Sequence, residues 1–381
     1  MQVRSWVRVL AATEAAWMEA LDRLEHDVFH RPDYHALPGF GHQGTPHLFS
    51  YEEGNGALFV WPYLLRPIAG TTLRDVTSVY GYAGPLSSGD AEFTGRAWES
   101  LVDHWRSAGV VAAFTRFHPI LGNAERMGDQ LRGPVAEGQG LFPAGSTVSI
   151  DLTIPSSEQV RRYQKVLRQE IRKSRELGFV TTEDSQWSAV SSFVRVYSET
   201  MARRNSRDEY CVDEVWVNQF RRALGTRARL FVTTWQGSVA AALIAIEHPP
   251  FLHAHLTGIN SEMAAYSPLK VLLDDIRAWG TEHGLRSFHL GGGLGGREDS
   301  LFQFKRRFSP VTHVFQTGRW ILDPVRYREL ERAHQDKLLR SGPEISNPDF
   351  FPIYRYQPVE TDSNSFAKAG AIVESRRETF A

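Results

Sequence analysis

The sequence predicts an α/β (α+β) protein in which a mixed sheet flanked by helices occurs twice in tandem. Three observations predict it. The 381 residues exceed the ~150 of one typical domain and suit two. A hairpin, a strand, a helix and a further strand follow one another in both halves of the chain, offset by about 175–180 residues, the mark of an internal repeat. The segment LVDHWRSAGVVAAFTRFHP at 101–119 also resembles LLDDIRAWGTEHGLRSFHLGG at 272–292. The first domain is expected over 1–145 and the second over 146–322, with the divide near Phe142–Ser149, where proline and glycine interrupt the periodicity. Residues 323–381 are expected to pack back on the first domain.

Each element has its own signal. Residues 13–28 carry apolar residues at helical spacing behind Thr13, which predicts a first helix. Two β-rich runs within 46–66, parted by Glu53-Gly54-Asn55-Gly56, predict a hairpin. An apolar, aromatic run ends at Tyr80–Pro85, a helix is expected over Ala91–Ser107, and Gly109–Phe117 reads as a buried strand. In the second half, 157–177 predicts one charged amphipathic helix stopped by Gly178. Helices near 187–203 and 212–224 precede a second hairpin, Leu230–Thr234 and Val239–Glu247 about Gln236-Gly237. A strand at Phe251–Thr257, a helix at Pro268–His283, strands at Arg286–Leu290 and Val314–Ile321, a short helix after Asp323 and a strap at Pro343–Tyr356 complete the pattern.

Composition removes several classes of function. A single cysteine, Cys211, excludes a disulfide scaffold and a cysteine-rich metal site. The net charge of −1 excludes a protein that coats nucleic acid, although a local basic patch is compatible with it. The longest apolar run, Val239–Ile246, is far short of the ~20 residues that span a bilayer, and Arg4, Arg8, Glu14 and Glu19 do not make a signal peptide. A cytoplasmic protein without membrane insertion is expected. Only six of the 43 basic residues are lysines, at 165, 173, 270, 305, 337 and 368, so each can be questioned individually.

Glycines 291, 293 and 296 satisfy G-x-G-x-x-G on paper, yet no βαβ unit follows them, and a close backbone approach or a sharp turn explains them better. His253 and His255, two apart on a strand, face the same side and could hold a metal; a hydrogen-bonded histidine is the commoner outcome, and no metal is expected. Neither G-x-x-x-x-G-K-[ST] nor G-x-S-x-G occurs.

The most specific stretch is RSFHLGGGLGGREDSLFQFKRRF, residues 286–308. It resembles the closing motif of the FemXAB aminoacyltransferases and their FemAB-like relatives in the GNAT superfamily. RRYQKVLRQEIRKSRELG resembles the family's basic helix, Thr200-Met201 with Arg203 and Tyr210 its acceptor-side element, and YGYAGPL (Tyr80–Leu86) its first-domain loop. Leu256-Thr257-Gly258 with Tyr266-Ser267-Pro268 resembles the segment facing the acyl donor, and Phe350–Arg355 the family's tail. The resemblance covers about residues 25–356 and implies two GNAT-like domains with a cleft between them.

What the resemblance implies chemically is transfer of an amino acid from aminoacyl-tRNA to an amine of a small acceptor, with no further cofactor. Lys305 matches the family's Phe-Lys and would stabilise charge on the carbonyl and leaving oxygens; an ordinary surface lysine beside Arg306 and Arg307 is the other reading. Phe302, Phe304 and Phe308 read as core. Arg203 would bind acceptor phosphates or carboxylates through its planar fork, or else lie on a solvated face with Arg204 and Arg207. Tyr80, Tyr82 and Tyr210 would line the acceptor cleft, Arg31 and Arg66 are further anion candidates, and His255 and Asp299 have either a cleft or a structural role. The Q/R-x-x-G-x-G/A loop that holds the pyrophosphate of CoA is missing, and Glu262–Lys270 reads EMAAYSPLK at its place. That favours aminoacyl-tRNA; an acyl-CoA or acyl-carrier-protein donor is the alternative, and a degenerate binding module a third. The oligomeric state is not legible.

Overall fold

Alternating apolar runs form strands and 3.6-periodic segments form helices, in an order close to the expected one. The computed structural model describes residues 4–38, 44–132, 139–204, 212–341 and 349–358. Its first half contains β1 (Ser5–Ala11), α1 (Ala15–Leu21), α2 (Pro32–His35), β2 (Thr45–Glu53), β3 (Leu58–Pro67), β4 (Arg74–Thr77), β5 (Leu86–Ser87), α3 (Ala91–Ser107), β6 (Val110–Arg116), α4 (Asn123–Met127) and β7 (Gly140–Asp151). There follow α5 (Ser156–Arg161), α6 (Lys165–Glu176), β8 (Val180–Glu183), α7 (Val190–Arg203), α8 (Glu214–Leu224), β9 (Ala228–Trp235), β10 (Ser238–His248) and β11 (Phe251–Ile259). The chain continues through α9 (Pro268–Glu282), β12 (Ser287–Gly292), α10 (Ser300–Arg306), β13 (Thr312–Ile321) and α11 (Pro324–Ser341).

The strands join in one mixed sheet, in the order β1-β2-β3-β4-β6-β13-β7-β12-β11-β10-β9-β8, with β5 beside β3. The α/β class is as expected, but the two expected sheets are continuous through β13 and β7. From either edge inward, β2-β3-β4-β6 repeats as β9-β10-β11-β12. In both halves the inner pair is parallel, β4 with β6 and β11 with β12, because a helix, α3 or α9, makes the long crossover that parallel strands require. Both hairpins turn through left-handed backbone: Gly56 has φ +84°, and Gln236 and Gly237 have φ +49° and +78°.

Packing ties β13 to the first half. Trp98 and Trp105 of α3 meet Trp61 of β3 with ring centroids 5.5 Å apart in each case, and Trp320 of β13 lies 5.6 Å from Trp61 and 5.0 Å from Trp98. In the second half α6 and α9 bury Leu167, Ile171, Leu272 and Ile276 against Val148, Leu243 and Phe288. The opposite core, under α7 and α8, takes in Phe29, Tyr34 and Val79 from the first half. This brings the segment around residues 27–35 against β11.

Three boundaries depart from the sequence pattern. The helix expected over 13–28 ends at Leu21, with Glu14 and not Thr13 at its start. Asp27 turns inward and its Oδ1 accepts the Val28 amide at 2.6 Å, capping a short 3-10 turn at Val28–His30. The helix expected over 157–177 is two, α5 and α6. The Gln164 amide leaves the helix to donate to the Arg307 carbonyl at 2.9 Å, and the Arg168 guanidinium covers the Arg161 and Tyr163 carbonyls at 2.9 and 2.6 Å. Residues 142–149 lie inside β7, where Gly145, at φ +140°, and a register shift opposite Phe315/Gln316 accommodate the irregular sequence. The edge strand β1 escapes the periodicity because its face is largely exposed.

The chain divides into two compact units, residues 1–327 and 328–381. In the second, α11 runs to Ser341 and a 3-10 turn forms at Ile353–Arg355, with the Phe350 and Tyr356 rings 5.7 Å apart. Of the strap expected over 343–356, residues 343–348 lie outside the described residues.

Gly258 is where β11 and α7 pass most closely: a β carbon there would lie 2.5 Å from the Tyr197 amide nitrogen and 2.7 Å from the Val196 carbonyl carbon. Gly258→Ala therefore forces the helix off the sheet. We expect a loss of about 1–3 kcal/mol in urea unfolding, and an unchanged midpoint would show that the two backbones are free to separate.

Candidate active site

Lys305 is positioned by a glycine-rich loop. At the end of β12 the pairing with β7 shifts register between His289 and Gly291, and Gly291 takes φ +77°. The loop lies against β7 so tightly that a β carbon at Gly145 would strike the Gly296 backbone, and one at Gly296 the Ala144 carbonyl. These glycines serve packing of backbone on backbone. The dinucleotide reading fails with them, since β13, the strand after α10, pairs antiparallel with β6 and β7 and no parallel βαβ unit forms.

Asp299 clasps the loop to α10. Its Oδ1 accepts the Leu301 and Phe302 amides at 3.1 and 3.0 Å, and its Oδ2 the Leu294 amide at 3.0 Å. Burial raises its pKa, but these amides outweigh it and hold the carboxyl below its usual range. The helix then buries Phe302 and Phe308 in the core, with Phe304 packed against it. Its half-buried Lys305 donates from Nζ to the Gly292 carbonyl at 2.7 Å. Burial, helped by the Arg204 guanidinium and opposed by Asp299, brings the ammonium down to about 7.

The other residues singled out in the sequence fall into separate places. Arg203 donates to the Ile259 carbonyl at 2.9 Å, to Thr200 Oγ1 at 3.3 Å and to the Glu199 carbonyl at 3.3 Å, so it fastens the end of α7 to the end of β11. Its neighbour Arg204 is the guanidinium that acts on both Lys305 and Asp299. The Tyr80 carbonyl accepts the Tyr34 hydroxyl at 2.6 Å, and the Tyr80 ring meets His255 edge-on at 5.9 Å. His255 stacks on Phe220 at 5.3 Å, and burial lowers its pKa to about 3. Tyr82 lies 5.5 Å from His289 and 5.3 Å from Phe315, its phenol pushed up by burial. Arg31 is paired with Asp33 at 2.9 Å and Arg66 with the buried Asp75 at 2.7 Å. Tyr210 lies outside the described residues.

Three residues that sequence reasoning missed, Asp27, His118 and His289, form a buried polar chain with His253, which it had singled out. Asp27 Oδ2 accepts from Nε2 of His118 and from Nε2 of His253, each at 2.7 Å, and His253 Nδ1 lies 3.3 Å from His289 Nδ1. All four residues are almost wholly inaccessible. Burial of Asp27 opposes its charge, but His253 and His118 outweigh it and hold the carboxyl well below its ordinary value. His118 Nδ1 accepts the Ile120 and Leu121 amides at 3.2 and 3.0 Å, which places its proton on Nε2. Two of the three missed residues were within reach: His118 and His289 both follow a phenylalanine at matching places of the repeat, in RFHP and SFHL.

Asp27, His118 and His253 bring ligand-type atoms within 4.8 Å of one another. They do not fit a metal ion. A ligating imidazole nitrogen must be unprotonated, whereas the amides on Nδ1 of His118 put the proton on the nitrogen that faces Asp27.

Buried neutral histidines make stability depend on pH. Burial brings His35 and His248 to about 4 and His255 to about 3. The unfolded chain, with histidines near 6.5, binds more protons below that pH, so folding stability falls as pH drops from about 6.5 towards 4. The depressed Asp27 acts in the same direction at still lower pH, its contribution being lost as pH falls from its unfolded value through its folded one. Denaturant midpoints should decline steadily as pH falls below 6.5; a constant midpoint down to pH 4 would contradict the neutral buried state.

Residues 161–306 match the family model of the acetyltransferase (GNAT) domain. No curated protein matches the chain in sequence. Among solved structures the chain resembles FemX, at 11% identity and a TM-score of 0.61, covering 84% of this chain and 99% of that one. It also resembles L-PGS from Bacillus licheniformis, at 12% identity and a TM-score of 0.50, covering 87% and 98%. The resemblance read from the Lys305 motif thus holds for the fold: residues 161–306 match an acetyltransferase (GNAT) domain, and the chain shares the fold of FemX.

Proposed function

We propose that the chain is an aminoacyltransferase that moves an amino acid from aminoacyl-tRNA to an amine of a small acceptor, a peptidoglycan precursor or an antibiotic or amino-sugar intermediate, and so forms an amide bond. The observation that carries this reading is the Lys305 ammonium, desolvated yet held on the Gly292 carbonyl beside Gly291, where a β carbon would come within 3.3 Å of Nζ. When a neutral amine attacks an ester carbonyl, negative charge grows on the carbonyl oxygen and then on the leaving ribose oxygen. A compact cation in a partly desolvated site stabilises that charge more than it would in water. With its pKa near 7, Lys305 can also release a proton to the leaving oxygen.

The start of α9 supports tRNA over CoA. A CoA pyrophosphate needs free amides at a helix N-terminus. Here Ser267 donates to the Ala264 carbonyl, Lys270 to the Ser267 carbonyl, and Pro268 has no N–H. Exposed Arg161, Lys165 and Lys173 on α5 and α6, without a carboxylate partner among the described residues, offer a local basic patch in a chain whose net charge is −1.

Charged tRNA carrying a labelled amino acid, with a panel of amine acceptors, tests the reading. Transfer should vanish when the donor is pretreated with ribonuclease, and Lys305→Ala should lower kcat on the order of 100–1000-fold with an unchanged melting temperature. Wild-type activity should decline as pH rises through about 7, where the ammonium is lost. Transfer that survives ribonuclease, or thermal stabilisation by acyl-CoA and not by tRNA, would overturn the tRNA donor.

A further inference from the structure

The chain from Asp27 through His253 to His289 ends on an atom with no use in the fold. His289 is 3% exposed, and its Nε2 is buried without a hydrogen-bond partner among the described residues. A buried acceptor left unmade is costly, so its place matters. His289 lies two residues before Gly291, on the strand whose next carbonyl but two holds Lys305, and Tyr82 and Phe315 make the adjoining wall.

Hydrogen bonding sets the direction of the chain. Asp27 is a carboxylate, so His253 carries a proton on Nε2. The 3.3 Å contact between two Nδ1 atoms needs one proton, and with His253 accepting at Nδ1 that proton sits on Nδ1 of His289. The remaining nitrogen of His289, Nε2, is a proton acceptor. A proton gained there can be matched by passing the Nδ1 proton to His253, whose positive charge then settles 2.7 Å from the Asp27 carboxylate. The carboxylate thereby holds the charge once the proton has moved on to His253, away from His289.

We propose that Asp27, His253 and His289 form a proton relay and that Nε2 of His289 accepts the N–H proton which the substrate amine loses during transfer. This rests on the acyl-transfer reading above. The C–N bond forms as the carbonyl C–O bond to the leaving oxygen breaks; the amine proton goes to His289, and the leaving oxygen takes a proton from the Lys305 ammonium. His289, recharged on Nδ1 from His253, then returns its Nε2 proton to Lys305, and no charge accumulates. Burial, and after it His253 on β11, His118 after β6, His313 on β13 and Lys305 on α10, push the His289 imidazole well below its ordinary value, so it rests neutral and holds the amine proton only in passing one on to His253; the Tyr82 phenol lies beside it.

Two measurements test the relay. Nitrogen-15 NMR of histidine-labelled full-length protein reads tautomers without any donor. His289 should carry its proton on Nδ1 and His253 on Nε2, and Asp27→Asn should disturb both. A His289 protonated on Nε2 in the resting protein would overturn the proposal whether or not a donor is known. In the transfer assay, His289→Gln should lower kcat on the order of 100-fold or more with the KM for donor nearly unchanged. His289→Ala should regain activity with added imidazole as its neutral form increases. A His289→Gln variant with wild-type kcat and pH profile would refute the relay. If wild-type protein transfers nothing from any donor while the expected tautomers are found, the aminoacyltransfer reading fails, and with it the proton-acceptor role of His289.

Discussion

A single buried charge organises the junction of the two halves. Asp27 has no exposure, and an ionised carboxylate in the interior is tolerated only when donors surround it. Its donors come from three places: the Val28 amide in its own turn, His118 after β6, and His253 on β11. None can be placed independently of the others. The early end of α1, the amides that fix His118 and the entry of Phe29 beside His253, 4.9 Å away, are consequences of satisfying one carboxylate. The loop bearing Tyr82 is drawn into the same arrangement, because Asn123 and His30 both donate to the Ala83 carbonyl, at 2.8 and 3.1 Å.

The second constraint is steric and concerns Lys305. Its ammonium reaches the Gly292 carbonyl only because backbone can lie on backbone where the loop meets β7, and because Asp299 joins the loop to the first turn of α10. Phe302 and Phe308 then anchor the helix in the core. A side chain at Gly296 would shift the loop, and the carbonyl with it. Desolvation of the lysine is thus a product of how the loop packs, and the lowered pKa follows from that burial with Arg204 adding to it.

Much of this was legible in the residues. Periodicity and turn chemistry found the hairpins about Gly56 and Gly237, and α3 emerged over Ala91–Ser107 because its cap, Asp90, and its apolar face agree. The Lys305 motif pointed to the fold and to one lysine among six. What escaped depends on contacts distant in sequence. Asp27 reads as a polar residue late in an amphipathic helix, and the donors that draw it inward, His118 and His253, lie 91 and 226 residues away. The break between α5 and α6 depends on the Arg307 carbonyl, and Arg204 could not be preferred to Arg203 without knowing that the latter is spent on the Ile259 carbonyl. Arg31 and Arg66 read as anion binders because nothing in the sequence pattern pairs them with Asp33 and Asp75, which take up their charge in the fold.

The repeat itself explains why one histidine is structural and the other chemical. His118 and His289 occupy matching places after Phe117 and Phe288, so an ancestral duplication accounts for both. Their surroundings differ. After β6 the chain turns into Ile120 and Leu121, whose amides saturate Nδ1 of His118, while Nε2 is held by Asp27. After β12 the chain runs on into glycines, and no amide folds back on the imidazole; His289 meets only His253 on one nitrogen and keeps the other unpaired among the described residues. The same glycines that bring the carbonyl to Lys305 therefore also leave His289 unsaturated. One glycine-rich stretch places a cation and leaves a base without a partner, and the proposed proton transfer during acyl transfer needs both.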